Sequence, residues 1–148
     1  MDYSRPISDP PQGKALDEAA QGGRAGGSLR VLVAEDHVIV REAVVEFLAN
    51  LPGIEIVGEA SDGDEAVSQA EELNPDVVVL DVSMPVAGGV KAGRLILDKL
   101  PDVRVVFLTM HGRACLGSMD QSPRVGYVAK SDGLDKLAVA VLGSFRSE

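Results

Sequence analysis

Short apolar runs, separated by longer amphipathic stretches, constrain this chain more than any other feature. Val31-Leu32-Val33-Ala34, Val77-Val78-Val79-Leu80 and Val105-Val106-Phe107-Leu108 are continuous rather than alternating in polarity. A strand that reads this way is buried on both faces, which in practice means a parallel sheet covered by helices. The reading places strands at 30–34, 55–59, 77–80, 103–108 and 126–129. Between the first two, Val40, Val44, Phe47, Leu48 and Leu51 recur at helical spacing, and Pro52-Gly53 closes that helix. A second helix follows Asp62-Gly63 with Ala66, Val67 and Ala70 inward, and stops at Asn74-Pro75. A third spans about 90–100 after Ala87-Gly88-Gly89 and ends at Pro101. The last begins near Gly133 and presents Leu134, Leu137, Ala138, Val141, Leu142 and Phe145. Five parallel strands with about five helices make a doubly wound α/β sandwich.

One element is expected to be weak. Residues 112–123 contain Gly112, Gly117 and Pro123, and interior glycine and proline cost about 1 and about 3 kcal/mol against alanine. The helix there should be short, frayed or irregular. Residues 1–28 carry Pro6, Pro10, Pro11 and a glycine-rich run from Gln21 to Ser28, too little apolar surface to offset the entropy of ordering. They are expected to be a disordered tail, leaving 29–148 as one domain. The glycine run precedes the first strand and lacks the G-x-G-x-x-G spacing, so it reads as a linker and not as a dinucleotide site.

Charge and cysteine usage narrow the function. A formal net charge of −9 opposes non-specific nucleic-acid binding, which needs a basic footprint. The single Cys115, read as a small partly buried hydrophobe, excludes an internal disulfide and suits a reducing compartment. No apolar stretch approaches the ~20 residues of a membrane span, and no signal-peptide core is present, so the expected location is cytoplasmic. Glu35 and Asp36 follow the first apolar run and Asp81 follows the third. Carboxyl ends of strands in an open parallel sheet converge at the switch of strand order, and carboxylates gathered there suit a hard cation such as Mg2+.

The ordered set Val33-Ala34-Glu35-Asp36-His37, Arg41-Glu42, 59–66 (EASDGDEA), 75–85 (PDVVVLDVSMP), 106–111 (VFLTMH) and 126–131 (GYVAKS) resembles the receiver domain of bacterial two-component response regulators. The wording is nearest to the LuxR-type, NarL/FixJ-like subgroup and covers about 29–145. The resemblance implies a flavodoxin-like fold with strand order 2-1-3-4-5. It implies that Asp81 accepts a phosphoryl group from a histidine kinase. Mg2+ would be held by Asp36, Asp81 and the backbone carbonyl of Ser83, with Glu35 acting through water. Lys130 and the Thr109 hydroxyl would meet phosphoryl oxygens. Tyr127 would be the aromatic that changes rotamer as Thr109 moves, with the segment after the fourth strand, the fifth strand and the last helix as the bistable surface. Such a chain is a switch and not a turnover enzyme; its partners are a histidine kinase and a second copy as a homodimer, without membrane or direct nucleic-acid contact by these residues.

Simpler readings stand beside these. A strand-end Asp81 is often a turn residue, Asp36 is also placed to cap the helix beginning at Val38, and Lys130, Thr109 and Tyr127 taken singly are ordinary surface or half-buried residues. His37 and His111 read as pocket-flanking and not catalytic, and Met84-Pro85 as setting the loop after Asp81. The sequence also departs from the family. Ser131 stands where proline, in a cis bond, often follows the lysine, which leaves that bond's isomer open. Residues 112–125 lack the usual alanine-rich helix, which puts coupling to a partner in question. The sequence ends at Glu148 without a helix-turn-helix, as expected of the receiver part of a LuxR-type transcriptional regulator or of a stand-alone single-domain regulator. A non-phosphorylated pseudo-receiver acting by protein contact is the remaining alternative. A haloacid-dehalogenase-like phosphatase would need a second Asp where Ser83 stands. A cobalamin module would need a spaced Asp-x-His-x-x-Gly, and a flavin module more rings than three Phe, two Tyr and no Trp.

Overall fold

The computed structural model describes residues 27–84, 88–110 and 113–143. The expected tail, apart from its last two residues, lies outside them, as do Pro85, Ala87, His111, Gly112 and Phe145. Five parallel strands, β1 (Leu29–Ala34), β2 (Ile54–Ala60), β3 (Val77–Asp81), β4 (Arg104–Thr109) and β5 (Val125–Ala129), form one sheet in the order β2-β1-β3-β4-β5. Four α-helices appear among the described residues: α1 (Val38–Ala49), α2 (Gly63–Leu73), α3 (Gly88–Lys99) and α4 (Leu134–Gly143). Each strand lies within one or two residues of its expected bounds, and the ladder carries β3 and β4 one residue further, into Asp81 and Thr109.

The period of two along each strand divides the core. Leu32, Val78, Leu80, Val105 and Phe107 face α2 and α3, while Val31, Val33, Val77, Val79, Val106 and Leu108 face α1 and α4. Both faces are therefore filled, which is why the runs are continuously apolar in sequence. Val44 and Leu48 anchor α1, and Leu137 and Val141 anchor α4. The inward faces read from sequence were too wide. Val40 and Leu142 are 38% and 43% exposed, because a helix lying on a sheet buries only its central stripe.

The segment Arg113–Gln121 is not an α-helix but two 3-10 turns broken at Gly117, whose φ is +62°. Leu116 and Met119 from this segment are buried against the α2–α3 face, so it still closes the core. Cys115, read from sequence as partly buried, is exposed here; among the residues of these short turns whose burial is described, Leu116 and Met119 are the ones that turn inward. A single 3-10 turn, Lys130–Asp132, follows β5, and the described residues hold no cis peptide, so the Lys130–Ser131 bond is trans.

Helix ends are tied down by identifiable groups. The Asp62 side chain accepts from the Glu65 N–H at 2.8 Å, and the Glu65 carboxylate accepts from the Ser61 N–H at 2.7 Å, a reciprocal arrangement that starts α2. Asn74, left-handed at φ +49°, ends it. Arg30 then donates to the carbonyls of Leu73 and Asn74 at 2.8 and 3.1 Å. Arg124 does the same for α3, donating to Leu97 at 3.0 Å, Leu100 at 2.9 Å and Val103 at 3.0 Å. Both arginines lie at the amino ends of their strands.

Candidate functional site

The opposite edge of the sheet, at the carboxyl ends of the strands, carries the acidic cluster. Strand order reverses between β1 and β3, and in doubly wound folds this is where a crevice opens. Glu35 directly follows β1 and is fully buried; Asp81 ends β3 and is 1% exposed. Asp36 is partly buried beside them. Two buried carboxylates this close repel each other and need a cation. Lys130, one residue past β5, supplies part of it, with its ammonium 3.2 Å from both Glu35 Oε1 and Asp81 Oδ2. Burial acts most strongly on Lys130 and pulls its pKa down, but the charges of Asp81 and Glu35 outweigh it and hold the ammonium above the ordinary lysine value.

The lysine does not saturate these acids. Although its distances are those of an ion pair, Glu35 Oε1 and Asp81 Oδ2 receive no aligned hydrogen bond, and neither does Asp36 Oδ1. Buried oxygen atoms with unused lone pairs are uncommon, and here three belong to one cluster. One donor atom each from Glu35, Asp36, His37 and Asp81 can be chosen so that all lie within 4.8 Å of one another. The three carboxylates of this group, with spare oxygen lone pairs, fit a hard divalent cation. The residues present therefore fit Mg2+.

Hydrogen bonds fix the remaining atoms. Ser83 donates its N–H at 3.1 Å and its hydroxyl at 3.2 Å to Asp81 Oδ1, which leaves Oδ2 as the oxygen turned to Lys130. The His37 N–H lies 3.2 Å and its ring Nδ1 3.0 Å from Glu35 Oε2. That side-chain bond to Glu35, aided by the charges of Asp36 and Glu35, raises the His37 pKa above its ordinary value. His37, and not Asp36, occupies the N-cap of α1, and without a side-chain cap bond; the Asp36 carboxylate is turned toward the cluster instead.

The structure brings together Glu35, Asp36, Asp81 and Lys130 as read from sequence, with Thr109 buried at the neighbouring strand end. The Thr109 hydroxyl lies 3.8 Å from Cys115 Sγ. Tyr127 lies on β5 two residues before Ala129, the cross-strand partner of Thr109, and is 37% exposed. The roles of two supporting residues escaped the sequence reading. Arg41 ion-pairs with Glu59 at 3.1 Å and donates to the Glu35 carbonyl at 2.8 Å, so α1 holds the acidic loop. A charged residue within the apolar face of an amphipathic helix was the available signal. Gly89 lies so close to the backbone of Asp81 that an added Cβ would fall 1.9 Å from the Asp81 carbonyl oxygen, and the Gly88-Gly89 doublet was its only trace in sequence.

Fold and crevice together define a class: a flavodoxin-like α/β domain whose acidic strand-end pocket is bridged by a lysine. Within it, the chain belongs to the response regulator receiver domain family, whose profile matches residues 31–142. Among curated relatives, the response regulator GacA of Pseudomonas viridiflava is 39% identical over 114 residues, 76% of this chain and 53% of that protein. The response regulator UvrY of Escherichia coli is 35% identical over 76% of this chain and 52% of its own length. The transcriptional regulatory protein DegU of Brevibacillus brevis is 34% identical over 76% and 48%. This chain thus spans about half the length of these relatives. A solved two-component response regulator of the LuxR family from Aurantimonas sp. SI85-9A1 superposes with a TM-score of 0.72 at 32% identity, covering 80% of this chain and 85% of that one. Switching by phosphorylation is the general function of this family. No helix among the described residues is long and apolar enough to cross a membrane.

Proposed function

We propose that Asp81 is the phosphoacceptor of a two-component switch, charged by the phosphohistidine of a histidine kinase. The observation that carries this is Asp81 Oδ2: buried, without an aligned hydrogen bond, and 3.2 Å from the Lys130 ammonium. Ser83 fixes the other oxygen, so a single carboxylate oxygen is presented for attack. That oxygen attacks phosphorus, the P–N bond of the donor breaks, and its electron pair returns to the imidazole nitrogen. Lys130 shifts from the carboxylates toward the phosphoryl oxygens as a point charge. The Thr109 hydroxyl, at the adjoining strand end, donates to another, and Tyr127 follows its movement.

Asp36, Asp81 and the Ser83 carbonyl would hold Mg2+, with Glu35 acting through water. When bound, Mg2+ offsets the charge of a phosphoryl group brought to a carboxylate. The chain is then the receiver part of a longer LuxR-type transcriptional regulator, a reading supported by its half-length match to GacA, UvrY and DegU. Incubation with acetyl phosphate, read by intact mass, tests the assignment. A gain of one phosphoryl group that requires Mg2+ and is lost in Asp81→Asn supports it. No gain in folded protein overturns it in favour of a pseudo-receiver.

A further inference from the structure

The Asp36 carboxylate owes its place to the backbone that carries it. Ser83 fixes Asp81 Oδ1 through two hydrogen bonds and the His37 N–H fixes Glu35 Oε2, whereas Asp36 Oδ1 receives no aligned hydrogen bond. Its nearest charged neighbour on the same link, the His37 ring at 3.4 Å, is 66% exposed. The link between β1 and α1 is Glu35, Asp36 and His37, and His37 ends it at the N-cap without a side-chain cap bond.

Arg41, in the first turn of α1, holds that link. Its Nη1 donates to the Glu35 carbonyl at 2.8 Å, and its backbone N–H donates to the His37 carbonyl at 2.8 Å. The peptide before Asp36 is thus held by Arg41 at its carbonyl, and the peptide after it by the His37 N–H on Glu35 Oε2. The guanidinium is fixed in turn by β2, since Nε donates to Glu59 Oε1 at 3.1 Å. With Glu59 46% exposed, that ion pair adds little stability. Its effect is geometric, because a planar fork with Nε on Glu59 has Nη1 aimed in one direction, at the Glu35 carbonyl.

We infer that Arg41 is a positioning residue for Asp36: by clamping the peptide between Glu35 and Asp36, it keeps the Asp36 carboxylate turned into the pocket before a cation arrives, and so sets the affinity for Mg2+. The inference rests on the reading of the pocket as the Mg2+ site of a phosphoacceptor and adds to it a residue that touches neither the ion nor the phosphoryl group. Charge and position act here with opposite signs. A guanidinium bonded to the acidic link repels a dication, so its removal tightens Mg2+ binding if charge governs and loosens it if the clamp governs.

Two variants separate these effects. Arg41→Gln removes both charge and fork, and Arg41→Lys keeps the charge on a compact ammonium that cannot reproduce the fork. Calorimetric titration with MgCl2, and the rate of phosphorylation by acetyl phosphate as a function of MgCl2, are measured on each after cooperative unfolding in urea has been shown. Both variants should bind Mg2+ about tenfold more weakly than wild type. Saturating MgCl2 should return their phosphorylation rate to within about threefold of wild type, a split that general loosening of the fold would not give. If Arg41→Gln fails to fold, Arg41→Lys decides alone. Unchanged or tighter Mg2+ binding in Arg41→Gln, wild-type affinity in Arg41→Lys, or a rate that stays low at saturating Mg2+ overturns the role of Arg41 and leaves the site standing. Wild type that binds no Mg2+, or Asp36→Asn that binds it as tightly as wild type, overturns the reading of the pocket and this inference with it.

Discussion

Replacing Lys130 by methionine keeps the length and apolar stem of the side chain and removes only the ammonium. Each of its two contacts is 3.2 Å long, to Glu35 Oε1 and Asp81 Oδ2. At an effective dielectric constant of about 20, each is worth about 5 kcal/mol of Coulomb energy. Most of that is offset by desolvation and by screening, since the lysine side chain remains 19% exposed. What remains is the cost of leaving buried carboxylates without a countercharge, about 3–5 kcal/mol when a buried pair is broken. Lys130→Met should therefore destabilise the fold by about 3 kcal/mol at neutral pH, measured by urea unfolding in EDTA. Addition of Mg2+ should return much of this, because the ion supplies charge to the same acids. The pH dependence has a fixed sign. The folded pKa of Lys130 is raised, so its contribution is complete below the ordinary value of 10.5 and is lost as pH climbs through the folded value. The gap between wild type and variant should stay level from neutral pH to 10.5 and close above it. A loss under about 1 kcal/mol would refute the claim that Lys130 compensates two buried acids, since that is the size of an exposed pair.

Gly89→Ala drives a methyl group to 1.9 Å from the Asp81 carbonyl oxygen, and since the obstacle is backbone, the cost should reach about 3 kcal/mol or more in urea unfolding. A loss under about 1 kcal/mol would mean that α3 can slide away from β3. Glu65→Gln should destabilise by up to about 1 kcal/mol at neutral pH through a weakened start of α2. The Glu65 carboxyl is held below its ordinary value of 4.5, first by the Ser61 N–H and then by the Ser61 hydroxyl, so its contribution is present above 4.5 and is lost as pH falls through the folded value. The melting temperatures of wild type and Glu65→Gln should converge on acidification from pH 6, and a gap that persists to pH 3 would show that charge plays no part.

The apolar runs made the sheet legible because burial on both faces leaves nothing polar to interrupt them, and Asn74-Pro75 marked the end of α2 because αL geometry and a following proline both stop a helix. The weakness of 112–123 was legible from the same chemistry, and Gly117 at φ +62° is where the described part breaks. The exposure of Cys115 was not, because which residues of two short turns point inward depends on where β4 and α3 leave room for Leu116 and Met119. In the site, the convergence of the acids could be read from strand ends because parallel register brings those ends to one edge, whereas the place of Lys130 beside them was implied by the family resemblance. The full burial of Glu35, the His37 contact and the Arg41 bond to the Glu35 carbonyl arise from side chains meeting across the β1–α1 turn, and residue order does not encode such rotamers.

Arg30 and Arg124 grip the carboxyl ends of α2 and α3 from the amino edge of the sheet. Both helices are thus hung from the side of the molecule remote from the acids, as doors are from a post. α3 is held at the other end as well, where Gly89 packs against the Asp81 backbone and donates its N–H to the Val82 carbonyl at 3.0 Å, so it is fixed both at that post and at the rim beside the acids.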